Sequence, residues 1–223
     1  DAISLLEDGA ADDQYSIDIL RNDIDLAADD GIEADFCFHN CRVMENRLTN
    51  TFIALSSQPG LGGPTYFVRN SMYSVVLSAF KLQRGSVGDV LWHNTVVKNG
   101  DAFGIYTSDV FSRQLIRNNL FLGGPGGTYN GYSSGSGRVA QLSAADATVD
   151  MDYDAFGSMT GTFEGQIGAS SFSSLSEMQS MTTEVHALEV DHTVFASTVG
   201  HPTPFPAVET ADLRPASDAP VVD

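Results

Sequence analysis

Lysine is scarce in this chain, which has two lysines and nine arginines against 29 acidic residues and a net charge of -18. A negative field of that size repels nucleic acid and anionic membranes, so neither is an expected partner. No apolar run approaches the roughly 20 residues of a membrane span. The two cysteines, Cys37 and Cys41, are too few for a disulfide scaffold, and they form either one local disulfide or two packed thiols.

Asparagine recurs at a spacing of 24 residues, at Asn22, Asn46, Asn70, Asn94 and Asn118. An apolar residue stands three positions before each of them: Ile19, Val43, Phe67, Leu91 and Leu115. Another stands two positions after: Ile24, Leu48, Met72, Val96 and Leu120. A fixed period of this length indicates stacked repeats, in which each repeat buries its apolar face against its neighbours.

The spacing also fits a leucine-rich repeat, but the further apolar column that this repeat needs fails in the second half, at Asp89 and Arg113. β-branched and aromatic residues follow each asparagine, as in "TVVKN" and "SMYSVVLSAF", so strand follows strand. Three short strands and a tight turn at the asparagine make one coil of an all-β, parallel β-helix.

Over roughly residues 14–122, these coils resemble the right-handed parallel β-helix proteins of the pectate-lyase-like superfamily, whose turns carry an asparagine ladder. Coils stack about 4.8 Å apart, so an amide at the same bend of each coil bonds to those above and below. The five asparagines are therefore predicted to be scaffold.

The third strand of each coil is predicted to point Ile32, Ile53, Phe80, and Ile105 or Phe103, inward. Its outward residues then form two columns. One contains Glu33, Ala54, Lys81 and Gly104, and the next contains Asp35, Ser56, Gln83 and Tyr106. Extended polymers commonly lie along such an outward face, across the coils.

Residues 1–122 are predicted to form the coils, and residues 123–223 the last coils, a short helix and a capping tail of the same domain. The helix pattern lies in residues 170–183, with Ser171 or Ser173 as its N-cap. An outward apolar column would need the tail or another subunit to cover it: Leu20, Met44, Val68, Trp92 and Ile116. An additional N-terminal region or a homo-oligomer contact is expected to cover the open first coil.

The resemblance implies β-elimination on an acidic polysaccharide, outside the cell or at its surface. Lys81 would be the base and Tyr106 the acid, and calcium would bind through oxygen ligands from Asp29, Asp30, Glu33 and Asp35. The side chains expected to contact the substrate are Ser56, Gln83 and Arg84.

Two alternatives stay open at this point. A β-helix module could bind a polysaccharide, or form part of a surface or adhesive protein, without cleaving anything, because the scaffold alone does not decide function. A glycoside hydrolase would use paired carboxylates, for which Glu33 and Asp35 are the candidates.

Overall fold

The computed structural model describes residues 1–5, 14–203 and 207–221. Parts of both predicted regions, residues 6–13, 204–206 and 222–223, therefore lie outside the described residues. The chain is an all-β parallel β-solenoid, which confirms the fold class predicted from the repeat. Among the described residues, no helix has the length and apolar character needed to cross a membrane.

Among the described residues, the parallel strands lie on three sides of the solenoid, which we call the first, second and third sheets, although no ladder pairing joins Ser71–Leu82 to Phe103–Gly104 within the third. The first contains Asp18–Leu20, Cys41–Met44, Thr65–Val68, Val90–Trp92, Leu115–Arg117 and Asp150–Asp152. The second contains Asp23–Asp25, Thr95–Val97, Leu120–Gly123, Ala155–Ser158, Leu188–Glu189 and the first residues of two long strands, Arg47–Ser57 and Ser71–Leu82. The third contains Ile3–Ser4, Asp30–Glu33, the later residues of both long strands, Phe103–Gly104, Ala140–Leu142 and Gly165–Ile167.

Smaller elements complete the chain. Ser170–Phe172 pairs antiparallel with Gly165–Ile167, and a parallel pair joins Gln14–Tyr15 to Cys37–His39. A hairpin of Thr128–Tyr129 and Tyr132–Ser133 lies in the glycine-rich loop. The helices are an α-helix at Leu175–Met181 and a 3-10 turn at His192–Val194.

The asparagine ladder lies in the turn between the first and second sheets. The side-chain amide of Asn46 donates to Asn70 Oδ1 at 3.0 Å and to the backbone oxygen of Ile19 at 3.0 Å. Asn70 repeats both contacts with Asn94 Oδ1 and the oxygen of Val43. Because each buried amide is satisfied by the coils on either side, the ladder fixes their register.

The fifth rung is Asn119, so the prediction of Asn118 is wrong. Asn94 donates to Asn119 Oδ1 at 2.9 Å, and the next rung is Asp154. One extra residue in this coil moves each column by one position. Asn118 therefore takes the left-handed position before the rung, with φ 55°, where Arg21, Glu45, Arg69 and His93 stand in the earlier coils.

The same extra residue also shifts both apolar columns by one position in this coil. Ile116, predicted to be outward, pairs with Leu91 and is fully buried, whereas Leu115, predicted to be inward, is 40% exposed. Phe121 pairs with Val96 in the core, so it replaces the predicted Leu120. Leu120 belongs to a second, smaller apolar cluster on the outside of the second sheet.

The third strand also has a different register from the predicted one. Leu55, and not Ile53, aligns with Ile32 and Phe80, because the spacing between coils is irregular here and the pairing slips between Val75 and Ser78. Ala54 is fully buried in the main core cluster, and Ser56 takes the outward place beside Glu33 and Lys81.

The helix begins after Ser174, whose hydroxyl accepts from the backbone N–H of Glu177 at 3.2 Å. The predicted N-caps Ser171 and Ser173 are therefore wrong by one to three positions. The Glu177 carboxylate accepts from the backbone N–H of Ser173, the residue before the N-cap, at 2.7 Å, which holds the chain that enters the helix. Met178 is buried in the main core, so the helix covers apolar side chains of the last coils.

The tail lies along the flank of the solenoid. Ala211, Leu213, Ala216 and Ala219 pack on the outward side chains of the second sheet, among them Tyr73. The predicted outward column on the first sheet is left uncovered by the tail, since Leu20 is 43% and Trp92 46% exposed. Cys37 and Cys41 form a disulfide with a Cα–Cα distance of 6.2 Å, which decides between the two thiol states left open by the sequence.

Candidate functional site

The predicted base, Lys81, lies on the outward side of the third sheet, in register with Ser56 and Glu33. Its Nζ forms an ion pair with the carboxylate of Asp30. The Lys81 side chain is 13% exposed and that of Asp30 1% exposed. A general base must be within reach of the proton that it abstracts, whereas the Lys81 ammonium group is engaged by a buried carboxylate.

The predicted acidic residues accept hydrogen bonds from different partners. Glu33 accepts a hydrogen bond from the Ser4 hydroxyl at 2.6 Å, whereas Asp35 accepts from the Ser56 hydroxyl and, at 2.8 Å, from the backbone N–H of Gln58. Burial raises the pKa of Asp35 to about 7 despite these donors. Asp29 is exposed.

The predicted acid Tyr106 belongs to a different network from Lys81. Its hydroxyl donates to Asp101 Oδ2 and to the backbone oxygen of Ser134, both at 3.0 Å, and burial raises its pKa well above the ordinary tyrosine range. Asp101 also accepts from three consecutive backbone N–H groups at 136–138, so Tyr106 helps to hold the glycine-rich loop. The structure therefore brings Lys81 together with acids but directs the Tyr106 hydroxyl elsewhere.

The three predicted substrate-binding residues do not share one surface. Ser56 is fully buried below Asp35. Gln83 is half-buried and donates to the backbone oxygen of Tyr106 at 3.3 Å, and Arg84 is exposed at a left-handed turn position.

The predicted cation ligands are brought together in part. Carboxylate oxygens of Asp30 and Glu33 lie within 4.8 Å of each other and of an oxygen of Asp1. Asp29 and Asp35, the other two predicted ligands, are absent from this group. Burial raises the pKa of Asp30, and the contact with Lys81 opposes that shift.

A groove of about 560 Å³ runs across several coils between the ladder turn and the tail. Its floor is the outward edge of the second sheet at Thr95, Leu120 and Ala155. The ladder turns form one wall, and the tail forms the other through Pro215, Pro220 and Val221. Coils stack about 4.8 Å apart, so the groove accommodates an extended chain that lies along the solenoid.

Aromatic rings line the turn side of the groove. Tyr153 and His186, from successive coils, stack with ring centroids 4.4 Å apart and an interplanar angle of 3°. Asp152 orients the histidine, because its Oδ2 lies 2.8 Å from His186 Nδ1 and its Oδ1 accepts from the His186 backbone N–H. Tyr153 keeps 52% of its surface exposed, so this stack is both preorganised and open.

Two coils earlier, His93 continues the same wall and stacks on Trp92, with centroids 5.4 Å apart. Burial, and then the nearby charge of Arg69, lower the pKa of His93. Both causes favour the uncharged imidazole of His93, and the amides of Asn94, Asn118 and Asn119 lie beside it in the lining of the groove.

Sequence reasoning missed this groove for two reasons. Tyr153 precedes Asp154, an aspartate rung that the asparagine pattern does not detect, and a spacing of 35 residues separates it from the previous rung at Asn119. The second wall comes from the tail, which is distant in sequence. The sequence feature that could have indicated the groove is the pair of aromatic residues Trp92 and His93 immediately before the rung Asn94.

No protein-family model, no curated protein and no solved structure matches this chain.

Proposed function

We propose that this protein binds an extended polysaccharide without cleaving it, and that the groove beside Tyr153 and His186 is the binding site. The observation that carries the proposal is the preorganised, exposed tyrosine–histidine stack in a groove that follows the solenoid axis. Aromatic faces provide a rigid apolar surface for the C–H face of a sugar, while the edge polar groups bond to hydroxyls.

The groove favours an uncharged polymer over the acidic one that the sequence suggested. Its lining contains no lysine or arginine among the described residues, and the whole chain carries a net charge of -18. An anionic polymer would approach against that field without a local cation to offset it.

The catalytic alternatives have less support. A lyase needs a neutral base and a nearby acid, whereas Lys81 is paired with Asp30 and the Tyr106 hydroxyl is bonded to Asp101. For the hydrolase alternative, the raised pKa of Asp35 is suitable for a general acid, but Asp35 is only 2% exposed.

Two broader proposals accompany this one. The asparagine ladder and parallel coils support membership of the pectate-lyase-like superfamily. The Cys37–Cys41 disulfide supports an extracellular or cell-surface location, because such bonds persist in oxidising compartments.

Affinity electrophoresis against a panel of glucan, xylan, mannan, alginate and pectate tests the binding proposal. We expect retardation by at least one uncharged polymer and at least a tenfold loss of affinity in Tyr153→Ala, since a stacking contact contributes about 1 kcal/mol beyond the buried area. Tyr15→Ala is the matched control, because Tyr15 also stacks on a histidine, His39, with centroids 5.3 Å apart, outside the groove.

Two results would overturn the proposal. One is retardation that is unchanged in Tyr153→Ala or equally reduced in Tyr15→Ala. The other is an ultraviolet-absorbing unsaturated product from alginate or pectate that disappears in Lys81→Ala, which would establish the lyase alternative.

A further inference from the structure

A buried carboxylate in the first described coils has one oxygen without a partner. Asp30 is fully buried, and its Oδ1 makes no hydrogen bond within the described part of the chain. Leaving a buried charged acceptor unsatisfied is costly, so a native structure normally supplies a partner such as a donor, a water or a cation.

Two more carboxylates lie at the same place. Oxygens of Asp1, Asp30 and Glu33 are all within 4.8 Å of one another, and Glu33 is itself buried. We infer that Asp1, Asp30 and Glu33 bind one divalent cation, and that this cation is calcium.

The local charge supports a divalent ion. The three carboxylates and the single ammonium group of Lys81 give these side chains a sum of -2 when all are ionised. Lys81 contacts Oδ2 of Asp30, which leaves Oδ1 available to the cation.

The geometry favours calcium over magnesium. Calcium–oxygen bonds of about 2.3–2.6 Å place opposite ligands about 4.6–5.2 Å apart, and calcium accepts irregular sets of carboxylates and waters. Magnesium requires a tighter octahedron and retains most of its waters, so it rarely occupies a site made of several carboxylates.

The cation would connect neighbouring coils. Asp1 precedes the strand Ile3–Ser4, which pairs in parallel with Asp30–Glu33, and the backbone N–H of Leu5 donates to the oxygen of Glu33 at 2.8 Å. A bound ion would therefore fasten the outermost described strand of the third sheet to the coil beside it. This role is independent of the groove near the other end of the solenoid.

Thermal unfolding of the whole chain, with calcium added after chelation, tests the inference. At about a hundredfold excess over the dissociation constant, we expect the melting temperature to rise by about 5–10 °C. Asp1→Asn removes an exposed ligand without disturbing the core, and it should abolish most of that rise. Asp29→Asn is the matched control, since this exposed acid lies outside the carboxylate group and should keep the full rise.

Isothermal calorimetry provides the second measurement. We expect one calcium ion per chain, and at least a tenfold weaker affinity in Asp1→Asn or with magnesium in place of calcium. The inference is overturned if the wild-type chain shows neither heat nor a thermal shift with calcium, or if Asp29→Asn loses as much as Asp1→Asn. Polysaccharide binding is measured in a different experiment. A negative result with calcium would therefore not contradict the proposal that the groove binds a polysaccharide.

Discussion

Asp154 is the residue at which the ladder stops being made of amides. Its Oδ1 accepts from Asn119 as an asparagine would, at 2.6 Å from the backbone nitrogen and 2.9 Å from Nδ2. Its backbone N–H lies 3.5 Å from a carboxylate oxygen of Glu184. Both side chains are fully buried. One of the two carboxyl groups must therefore hold a proton, because two adjacent buried negative charges would repel each other.

Burial raises the pKa of Asp154 from 3.8 to about 6, and it also raises the pKa of Glu184, to which the charge of Asp154 adds. The folded chain thus binds more protons here than the unfolded chain does. The contribution of Asp154 to the free energy of unfolding is fully present below pH about 4 and is lost as the pH rises through about 6, and the loss that Glu184 adds continues at higher pH.

Replacing Asp154 by asparagine should remove the part of this pH dependence that comes from Asp154. Asp154→Asn keeps the acceptor for Asn119 and adds an N–H donor toward Glu184, so its stability relative to wild type should increase by at least about 1 kcal/mol from pH 4 to pH 7. Urea unfolding across that range measures the difference. Asp109→Asn, at an exposed position, should show no such trend, and a flat difference for Asp154→Asn would contradict the prediction.

At the scale of the coil, register depends on which side chain occupies the rung. The rungs at Asn22, Asn46, Asn70 and Asn94 follow a strict 24-residue spacing, and the next coil places Asn119 25 residues on. Two adjacent asparagines, Asn118 and Asn119, suit the turn equally well by composition. The packing of Ile116 and Phe121 into the core decides between them.

Substitution at these two positions separates their roles. Asn119→Ala should lower the free energy of unfolding by about 2–4 kcal/mol, because it removes the amide that bonds to the backbone oxygen of Leu91 and to the backbone N–H of Asn94. Asn118→Gly should change it by less than about 0.5 kcal/mol, since Asn118 is exposed and glycine readily adopts its φ of 55°. Equal losses in urea unfolding would contradict the assignment of the rung.

At the scale of the whole molecule, acidic residues greatly outnumber the basic residues that could neutralise them in ion pairs. The pairs include Arg21–Glu45, whose side chains are 79% and 41% exposed, and Arg214–Asp212, whose side chains are 83% and 39% exposed. Such exposed pairs contribute little to stability, so the dominant electrostatic term is repulsion among 29 acids.

Salt should therefore stabilise the folded chain. Raising potassium chloride to about 0.5 M shortens the Debye length to roughly 4 Å, which screens long-range repulsion more than it weakens the contact pairs. We expect the melting temperature to rise in calorimetry under calcium-free conditions. A falling melting temperature would mean that the surface ion pairs outweigh the repulsion.

The architecture can be predicted from the amino-acid sequence. Four of the five predicted rungs, the inward columns around them and the three-strand coil follow directly from the 24-residue period, because identical positions in stacked coils meet the same environment. The sequence also placed Lys81 in the same outward column as Glu33, but with the carboxylates toward one end of that face and Lys81 toward the other, so the contact with Asp30 was not predicted.

The details on which the candidate sites depend follow from how the coils and the tail pack together. The extra residue before Asn119 and the slip between Val75 and Ser78 change which side chains face outward, and a period carries no information about such interruptions. The groove needs the tail, which is far from the ladder in sequence. The side chain of Tyr106 bends toward Asp101 because burial requires a partner for its hydroxyl, and that choice depends on contacts made after the coils have stacked.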